Sequence, residues 1–123
     1  MPSRPRVLLV DDHPGIVQAL GRVLAPECDV VGVIADAREV ADVAARLQPV
    51  VIVMDINLPD VDGLEVCRQM TQHDPRAKII VITAMADDAV SAAAIAAGAS
   101  GFFLKSAASE LVAAIRRIWT EST

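Results

Sequence analysis

Six residues with side chains suited to phosphate chemistry lie at or just beyond the ends of short apolar runs. They are Asp11, Asp12, Asp55, Asn57, Thr83 and Lys105. Three carboxylates that meet at one place repel one another and destabilise a fold unless a cation neutralises them. Hard oxygen ligands without a cysteine or a histidine cluster beside them favour Mg²⁺ over Zn²⁺. If the fold gathers these residues, they therefore indicate a magnesium site.

Magnesium and carboxylates together indicate phosphoryl chemistry. Mg²⁺ keeps several waters and is usually shared between one or two carboxylates and phosphate oxygens. A carboxylate such as Asp55 can act as the nucleophile that accepts a phosphoryl group. Because the transition state spreads negative charge over three oxygens, the ammonium of Lys105 and the hydroxyl of Thr83 would both stabilise it.

Each of these residues also has a purely structural explanation. Asp11 and Asp12 could close a turn or cap a helix. Thr83 suits the end of a strand, and Lys105 could be a solvated surface residue. The coincidence of all of them at the ends of apolar runs is what favours a functional site.

The apolar runs that precede these residues predict buried parallel strands. They are continuous rather than alternating and rich in β-branched residues, as is typical of strands covered on both faces. Four runs are clear and a fifth, at 30–34, is weaker; the clear ones are 7–10, 50–54, 79–82 and 102–104.

Between the strands, apolar residues recur at helical spacing. The predicted core-facing residues are Ile16, Leu20, Val23 and Leu24; Val40, Val43, Ala44 and Leu47; Leu64, Cys67 and Met70; and Leu111, Ile115, Ile118 and Trp119. The alanine-rich segment 87–97 is also helical, but its thin apolar stripe predicts the least firmly anchored helix. Gly98 follows it where a left-handed residue is expected.

Five alternating strands and helices predict an α/β fold of the flavodoxin-like (βα)5 type. We expect a three-layer sandwich around a five-stranded parallel sheet of order 2-1-3-4-5, with right-handed crossovers. The carboxyl ends of the strands then carry the six polar residues to one edge. The whole chain, 1–123, is predicted to be a single domain with its core at about 6–119, and 120–123 resembles the start of a linker or tail.

Composition narrows the function further. The chain has 123 residues, of which 54% are hydrophobic, and a formal net charge of -5. Disorder is therefore excluded, and direct binding of nucleic acid by this chain is disfavoured. Cys28 and Cys67 are expected to be buried apolar residues in a reducing cytosol. No signal segment or membrane span is predicted, so a cytoplasmic protein without a membrane partner is expected. His13 and His73 are expected to be exposed loop residues without a role.

Four segments resemble the receiver domains of bacterial response regulators. They are Val10-Asp11-Asp12-His13-Pro14, 54–63 (Met-Asp-Ile-Asn-Leu-Pro-Asp-Val-Asp-Gly), Ile82-Thr83-Ala84 and 98–105 (Gly-Ala-Ser-Gly-Phe-Phe-Leu-Lys). The resemblance spans about residues 6 to 119. It implies that Asp55 is the phosphoacceptor. It also implies that Asp12 binds Mg²⁺ directly and Asp11 mainly through water, with Asp55 and the backbone carbonyl of Asn57 completing the ligands.

The same resemblance implies a switch. Thr83 would move toward the phosphoryl group, Lys105 would pair with its oxygens, and Phe102 would be the aromatic residue that turns inward. The face formed by the fourth helix, fifth strand and fifth helix would then change shape. Ala84 is small, which leaves the acyl phosphate open to water and to a partner.

One departure from the commonest receiver pattern points to a subfamily. Ser106 follows the lysine where many receivers have proline, and together with the Asp-Asp-His-Pro opening this resembles the NarL/LuxR type. Such proteins usually add a helix-turn-helix DNA-binding domain, so the chain is either a truncated regulator or a free-standing receiver. The implied partners are a sensor histidine kinase and, on phosphorylation, a second copy of the chain. The second copy would pair through the face just described or through one built from helices one and five. The domain would catalyse only its own phosphorylation and dephosphorylation.

Three other functions remain open on the residues alone. A flavodoxin-like sheet could bind FMN, although residues 11–15 do not form a phosphate-cradling loop and the chain has no tyrosine. A haloacid-dehalogenase-type phosphatase would place its nucleophile after the first strand and a second Asp two residues later. Here the residue two positions after Asp55 is Asn57. A pseudo-receiver would bind partners without phosphorylation.

Overall fold

The computed structural model describes residues 4–58, 61–74, 76–85 and 87–122. Pro59 and Asp60 of the receiver-like motif, and Thr123 at the predicted tail, lie outside the described residues. The remaining chain alternates strand and helix five times, as the sequence predicts.

Five parallel strands form one sheet in the order β2-β1-β3-β4-β5, which confirms the predicted fold class. The strands are β1 (Arg6–Val10), β2 (Asp29–Ile34), β3 (Val51–Asp55), β4 (Lys78–Thr83) and β5 (Gly101–Leu104). β3 is buried along its whole length, whereas the edge strands β2 and β5 are largely half-buried. The continuous apolar run of β3 is therefore explained by its central position.

Helices cover both faces of the sheet. They are α1 (Pro14–Leu24), α2 (Val40–Leu47), α3 (Gly63–His73), α4 (Asp88–Ala96) and α5 (Ala108–Ser122), with a 3-10 turn at Ala37–Glu39 before α2. Alternate strand residues face opposite ways. Leu8, Val10, Ile52 and Met54 therefore pack in the core on the side of α2, α3 and α4. Val7, Leu9, Val51 and Val53 pack in the core on the side of α1 and α5.

Some details differ from the predicted helix faces. Val23 is 39% exposed, although Leu20 and Leu24 of the same stripe are buried. His73 is exposed as predicted but is the last residue of α3 rather than a loop residue. α5 continues to Ser122, past the predicted core boundary at 119, because no helix-breaking residue interrupts 120–122.

α4 is held to the rest of the fold by little buried surface. Ala94 is its one buried residue, because its apolar residues are mostly alanines that do not form a wide stripe. Gly98 follows α4 with φ of +106°, which allows the chain to reverse into β5 as predicted. No helix among the described residues is long and apolar enough to cross a membrane.

Candidate functional site

The register of the strands brings the predicted site residues to one edge of the sheet. Val10 of β1 pairs with Met54 of β3, so Asp11 and Asp55 are the next residues along two neighbouring strands. On the other side of β3, Asp55 pairs with Ile82. Thr83 therefore ends β4 one residue later, and it pairs with Leu104, the residue before Lys105.

Backbone hydrogen bonds extend the sheet just past the strand ends. The N–H of Asp11 donates to the carbonyl of Ile34 over 3.0 Å, and that of Lys105 donates to the carbonyl of Thr83 over 2.8 Å. The polar residues therefore start from fixed backbone positions rather than from free loops.

Lys105 bridges two buried carboxylates. Its Nζ lies 2.9 Å from Oδ2 of Asp55 and 3.0 Å from Oδ2 of Asp11. The Asp55 side chain is 0% exposed and the Lys105 side chain 9%. Burial alone would lower the pKa of Lys105, but hydrogen bonds and charge attraction from Asp55 and Asp11 outweigh it and raise the pKa above its ordinary value. Lys105 is therefore a fixed positive charge at the site.

The carboxylates are incompletely neutralised by the protein. Asp12, whose side chain is 28% exposed, joins Asp11 and Asp55 in one cluster. Three ionised carboxylates and one ammonium leave a net charge of −2, which a divalent cation would balance. Oδ2 of Asp11 lies 3.0 Å from the Lys105 ammonium, and Oδ1 of Asp12 lies 3.0 Å from Nδ1 of His13. Beyond these contacts neither buried oxygen has a hydrogen-bond partner among the described residues. The three clustered carboxylates are hard oxygen ligands of the kind that fit Mg²⁺.

Asp55 also positions the loop that follows it. Its Oδ1 accepts a hydrogen bond of 2.9 Å from the backbone N–H of Asn57, a local turn that aspartates commonly form. Both carboxylate oxygens of Asp55 thus have defined partners, since Oδ2 accepts from Lys105. Asn57 is brought to the site as predicted.

Thr83 is buried at the end of β4, and its hydroxyl is engaged by neighbouring loops. The side-chain amide of Asn57 donates to Oγ1 of Thr83 over 3.3 Å. The hydroxyl in turn donates to the carbonyl of Met85 over 3.2 Å. Met85 itself is largely exposed.

Phe102 is placed on β5 opposite Val81 of β4 and is half-buried against the core on the side of α3 and α4. It also lines a surface cavity of about 240 Å³ between α4, β5 and α5, together with Asp87, Asp88, Ser91, Phe103, Leu104, Ala107 and Glu110. Phe102 thus contacts both the core and an open surface.

His13 is a site residue that the sequence reasoning missed. Its Nδ1 lies 2.9 Å from Oδ1 of Asp11 and 3.0 Å from Oδ1 of Asp12. One oxygen from each of the three aspartates and one nitrogen of His13 all lie within 4.8 Å of one another. Its position directly after the aspartate pair, at the start of a helix, could have indicated that its side chain lies near the carboxylates.

Comparison with known proteins gives one consistent result. A sequence profile of the response regulator receiver domain matches residues 7–116. The DNA-binding transcriptional activator DevR/DosR of Mycobacterium tuberculosis is 40% identical over 107 residues, which cover 81% of this chain and 47% of that protein. The chain spans about half the length of the curated relatives it matches.

Solved structures agree with the sequence match. A LuxR-family two-component response regulator from Aurantimonas sp. SI85-9A1 superposes with a TM-score of 0.88 at 37% identity, covering 97% of this chain and 87% of that one. The receiver domain of NarL from Mycobacterium tuberculosis has a TM-score of 0.87 at 28% identity, with 94% and 96% covered. These similarities confirm the NarL/LuxR type that Ser106 and the Asp-Asp-His-Pro opening predict.

Proposed function

Since the chain belongs to the response regulator receiver family of two-component systems, we propose that Asp55 accepts a phosphoryl group from a sensor histidine kinase. The single observation that carries the proposal is the fully buried Asp55 carboxylate, held 2.9 Å from the Lys105 ammonium. The same family match sets aside the flavin-binding and dehalogenase-type alternatives. Because its phosphoryl donor would derive from ATP, the proposal also places the domain in the cytoplasm.

The acidic residues beside Asp55 would hold Mg²⁺. Asp12 would bind it directly and Asp11 mainly through water, with Asp55 and the backbone carbonyl of Asn57 as the other protein ligands. Bound there, the ion would supply positive charge beside the phosphoryl oxygens as negative charge develops on them. The clustering of three carboxylates, whose charge the single Lys105 ammonium only partly balances, supports this assignment.

The chemical step needs little covalent participation beyond Asp55. One carboxylate oxygen forms the new bond to phosphorus while the bond from phosphorus to the donor's imidazole nitrogen breaks, and the leaving nitrogen keeps the electron pair. Lys105, which already contacts Oδ2 of Asp55, would pair with the phosphoryl oxygens, and the Thr83 hydroxyl would donate to another. Hydrolysis of the acyl phosphate would later restore the carboxylate, so the domain acts only on itself.

Phosphorylation would be converted into a signal by movement of the neighbouring loops. Thr83 would leave its present partners for the phosphoryl group, Phe102 would fill the space it vacates, and α4 would shift. The single buried residue of α4 supports its role as the movable element. The changed face of α4, β5 and α5 would promote pairing with a second copy.

The output we propose is control of DNA binding by another part of a longer regulator. Its support is the relative DevR/DosR, a DNA-binding transcriptional activator of which this chain covers less than half. The chain itself has a net charge of -5, so it would not contact the phosphate backbone directly.

Intact mass after incubation with acetyl phosphate tests the proposal. We expect one phosphoryl adduct that requires Mg²⁺ and is absent from Asp55→Asn. Asp42→Asn, which changes an exposed aspartate on α2, is the matched control and should be labelled like the native chain. If a folded native chain gives no adduct with acetyl phosphate or with a phosphohistidine donor, the domain is instead a pseudo-receiver.

A further inference from the structure

A cavity of about 230 Å³ lies at the end of the sheet opposite to Asp55. Its residues come from three segments: the chain just before β1, the turn at 26–28 between α1 and β2, and one face of α5. Val112, Arg116 and Trp119 supply the α5 face, because residues three and four apart are neighbours on a helix. The start of β1 and the turn before β2 lie at the amino-terminal ends of the parallel strands, so the cavity is separate from the carboxylate cluster.

Apolar side chains form most of the cavity wall. Pro5, Cys28 and Val112 are buried and Trp119 is half-buried, and all four line the cavity. A surface of indole and aliphatic side chains is one against which an aromatic ring packs well. The volume exceeds the roughly 150 Å³ of a cavity that holds benzene and is below the roughly 300 Å³ at which pockets for drug-sized ligands begin. It therefore suits a single ring with a short substituent.

The charged side chains make the cavity positive. Arg116 forms an ion pair with Glu27, whereas Arg4 has no carboxylate within ion-pair distance among the described residues. Two guanidiniums and one carboxylate give the lining a net charge of +1, in a chain whose formal net charge is -5. The unbalanced positive charge is therefore that of Arg4.

The guanidinium of Arg4 retains hydrogen-bonding capacity beside the apolar wall. Its Nη1 donates to the carbonyl of Ala25 over 2.8 Å, which uses one of the five N–H donors of the group. Burial raises the pKa of the Cys28 thiol, and the charge of Arg4 opposes that rise, because both residues line the same cavity. A planar carboxylate matches a guanidinium in geometry and in charge.

We propose that this cavity binds a small aromatic carboxylate, with the ring against Trp119 and Val112 and the carboxylate on the guanidinium of Arg4. An uncharged ring of the same size would lose the ionic contact, and a small anion without a ring would gain nothing from the apolar wall. The inference goes beyond the proposed function and does not depend on phosphoryl chemistry at Asp55.

A ligand in this cavity would join the last turns of α5 to the body of the domain. It would contact α5 on one side, and the start of β1 and the turn before β2 on the other. α5 also packs against α1 and β5, so the ligand would restrain a helix that contacts the face of α4, β5 and α5. The domain would then have a second input at the end of the sheet opposite to the phosphoacceptor.

Titration of the folded chain with phenylacetate, followed by nuclear magnetic resonance, tests the proposal. Trp119 is the only tryptophan in the sequence, so the indole N–H resonance reports on this cavity alone. We expect a saturable shift of that resonance with a Kd of about 1 mM, as is reasonable for so small a ligand. Phenylacetamide, which has the ring without the charge, should bind about three- to fivefold more weakly, since the ionic contact is partly exposed. Acetate should leave the resonance unchanged.

Two arginine variants isolate the charge. Arg4→Gln should weaken phenylacetate binding by about three- to fivefold and leave phenylacetamide binding unchanged. Arg4 is exposed and precedes the first strand, so the variant is expected to fold. Arg46→Gln changes an exposed arginine on α2, on the other face of the sheet, and should bind both ligands like the native chain.

Three results would overturn the proposal. One is the absence of a saturable indole shift at phenylacetate concentrations about twentyfold above the expected Kd. Another is equal affinity of the native chain for the acid and the amide, or of Arg4→Gln and the native chain for the acid. The third is an indole shift that grows with protein concentration and prevents phenylacetate binding, which would assign the cavity to a second copy of the chain.

Discussion

The side-chain amide of Asn57 donates to Oγ1 of Thr83 over 3.3 Å and ties the loop after β3 to the end of β4. The Thr83 hydroxyl also donates to the carbonyl of Met85, so its resting orientation is defined from both sides. In the proposed switch, Thr83 must leave these partners before it can reach a phosphoryl group on Asp55. Asn57 would therefore stabilise the resting state through its side chain while its backbone carbonyl serves the metal.

Replacing Asn57 with alanine should remove this restraint without removing the backbone carbonyl. We expect the free energy of unfolding to fall by about 1 kcal/mol, the usual contribution of one such hydrogen bond. The Thr83 methyl resonance of the unphosphorylated variant should shift toward its position in the phosphorylated native chain. A double-mutant cycle with Thr83→Val should give a coupling energy of about 0.5 kcal/mol or more. A coupling near zero would mean that the hydrogen bond does not hold Thr83.

Replacing Lys105 with methionine should destabilise the metal-free protein. The variant keeps the length of the side chain but leaves Asp55 and Asp11 buried without their counter-charge, and loss of one partner of a buried ion pair typically costs about 3 kcal/mol or more. Urea unfolding should show this loss, and Mg²⁺ should restore part of it. Lys78→Met changes the other lysine of the sequence, which is exposed at the start of β4, and should alter stability by less than about 0.5 kcal/mol.

Replacing Asp12 with alanine should have the opposite effect in metal-free buffer. It removes one of three clustered negative charges, so stability should rise by about 1 kcal/mol. Mg²⁺ should stabilise the native chain by preferential binding to the folded state, and this gain should disappear in the variant. If Mg²⁺ still raised the urea midpoint of Asp12→Ala as much as that of the native chain, Asp12 would not be a direct ligand.

The two buried thiols should make stability fall as the solution becomes alkaline. Burial raises the pKa of both Cys28 and Cys67, although Arg4 opposes the shift at Cys28, and Thr71 and Arg68 oppose it at Cys67. Above about pH 8.5 the unfolded chain loses these protons first, so it binds fewer protons than the folded chain. The contribution of the two thiols to the free energy of unfolding is therefore fully present below that pH and is lost progressively above it.

Urea unfolding between about pH 8 and 9.5 measures this decline before the lysines titrate in the unfolded chain. Cys67→Ala should show a shallower decline than the native chain, although it is less stable at every pH because it leaves a cavity. The same slope in both proteins would mean that Cys67 ionises alike in the folded and unfolded states. A thiol reagent should also react much faster in urea than in native buffer.

Replacing Gly98 with alanine should strongly destabilise the turn between α4 and β5. Its φ is +106°, and an added Cβ would lie 2.5 Å from Oγ1 of Thr71. We expect a loss of about 2 kcal/mol or more in the free energy of unfolding. Gly21→Ala is the matched control: it lies inside α1 with nothing within 4 Å of the added Cβ, so it should stabilise the helix by about 0.5–1 kcal/mol.

The sequence allowed the sheet and most of the site to be predicted because both depend on local patterns. Buried parallel strands are continuously apolar, so the apolar run of β3 was enough to predict that strand. In a parallel sheet the residues that follow the strands also meet at one edge, which is why most of the site could be predicted. β2 was the least distinct run because Gly32 interrupts it and two of its six residues are exposed at the edge of the sheet. Val23 was assigned to the core by its spacing, but α1 covers only part of the sheet and the residue lies at the edge of its buried face.

His13 was missed for a different reason. Its position after Asp11 and Asp12 was visible, but the direction of a side chain at the start of a helix depends on backbone angles that spacing does not specify. The link between Asn57 and Thr83 was hidden in the same way, because it joins the loop after β3 to the end of β4, 26 residues away in the sequence. Such contacts are decided by tertiary packing and not by local pattern.

The weak anchoring of α4 has a consequence for the solubility of the switched state. α4 contacts β5, the apolar edge strand Gly-Phe-Phe-Leu, which within the described chain pairs on one side only, with β4. An unprotected apolar edge strand is a template for aggregation. Because α4 and α5 both contact this strand, movement of α4 in the proposed switch would leave more of it exposed to neighbouring molecules. Pairing of activated copies through this face would cover it again.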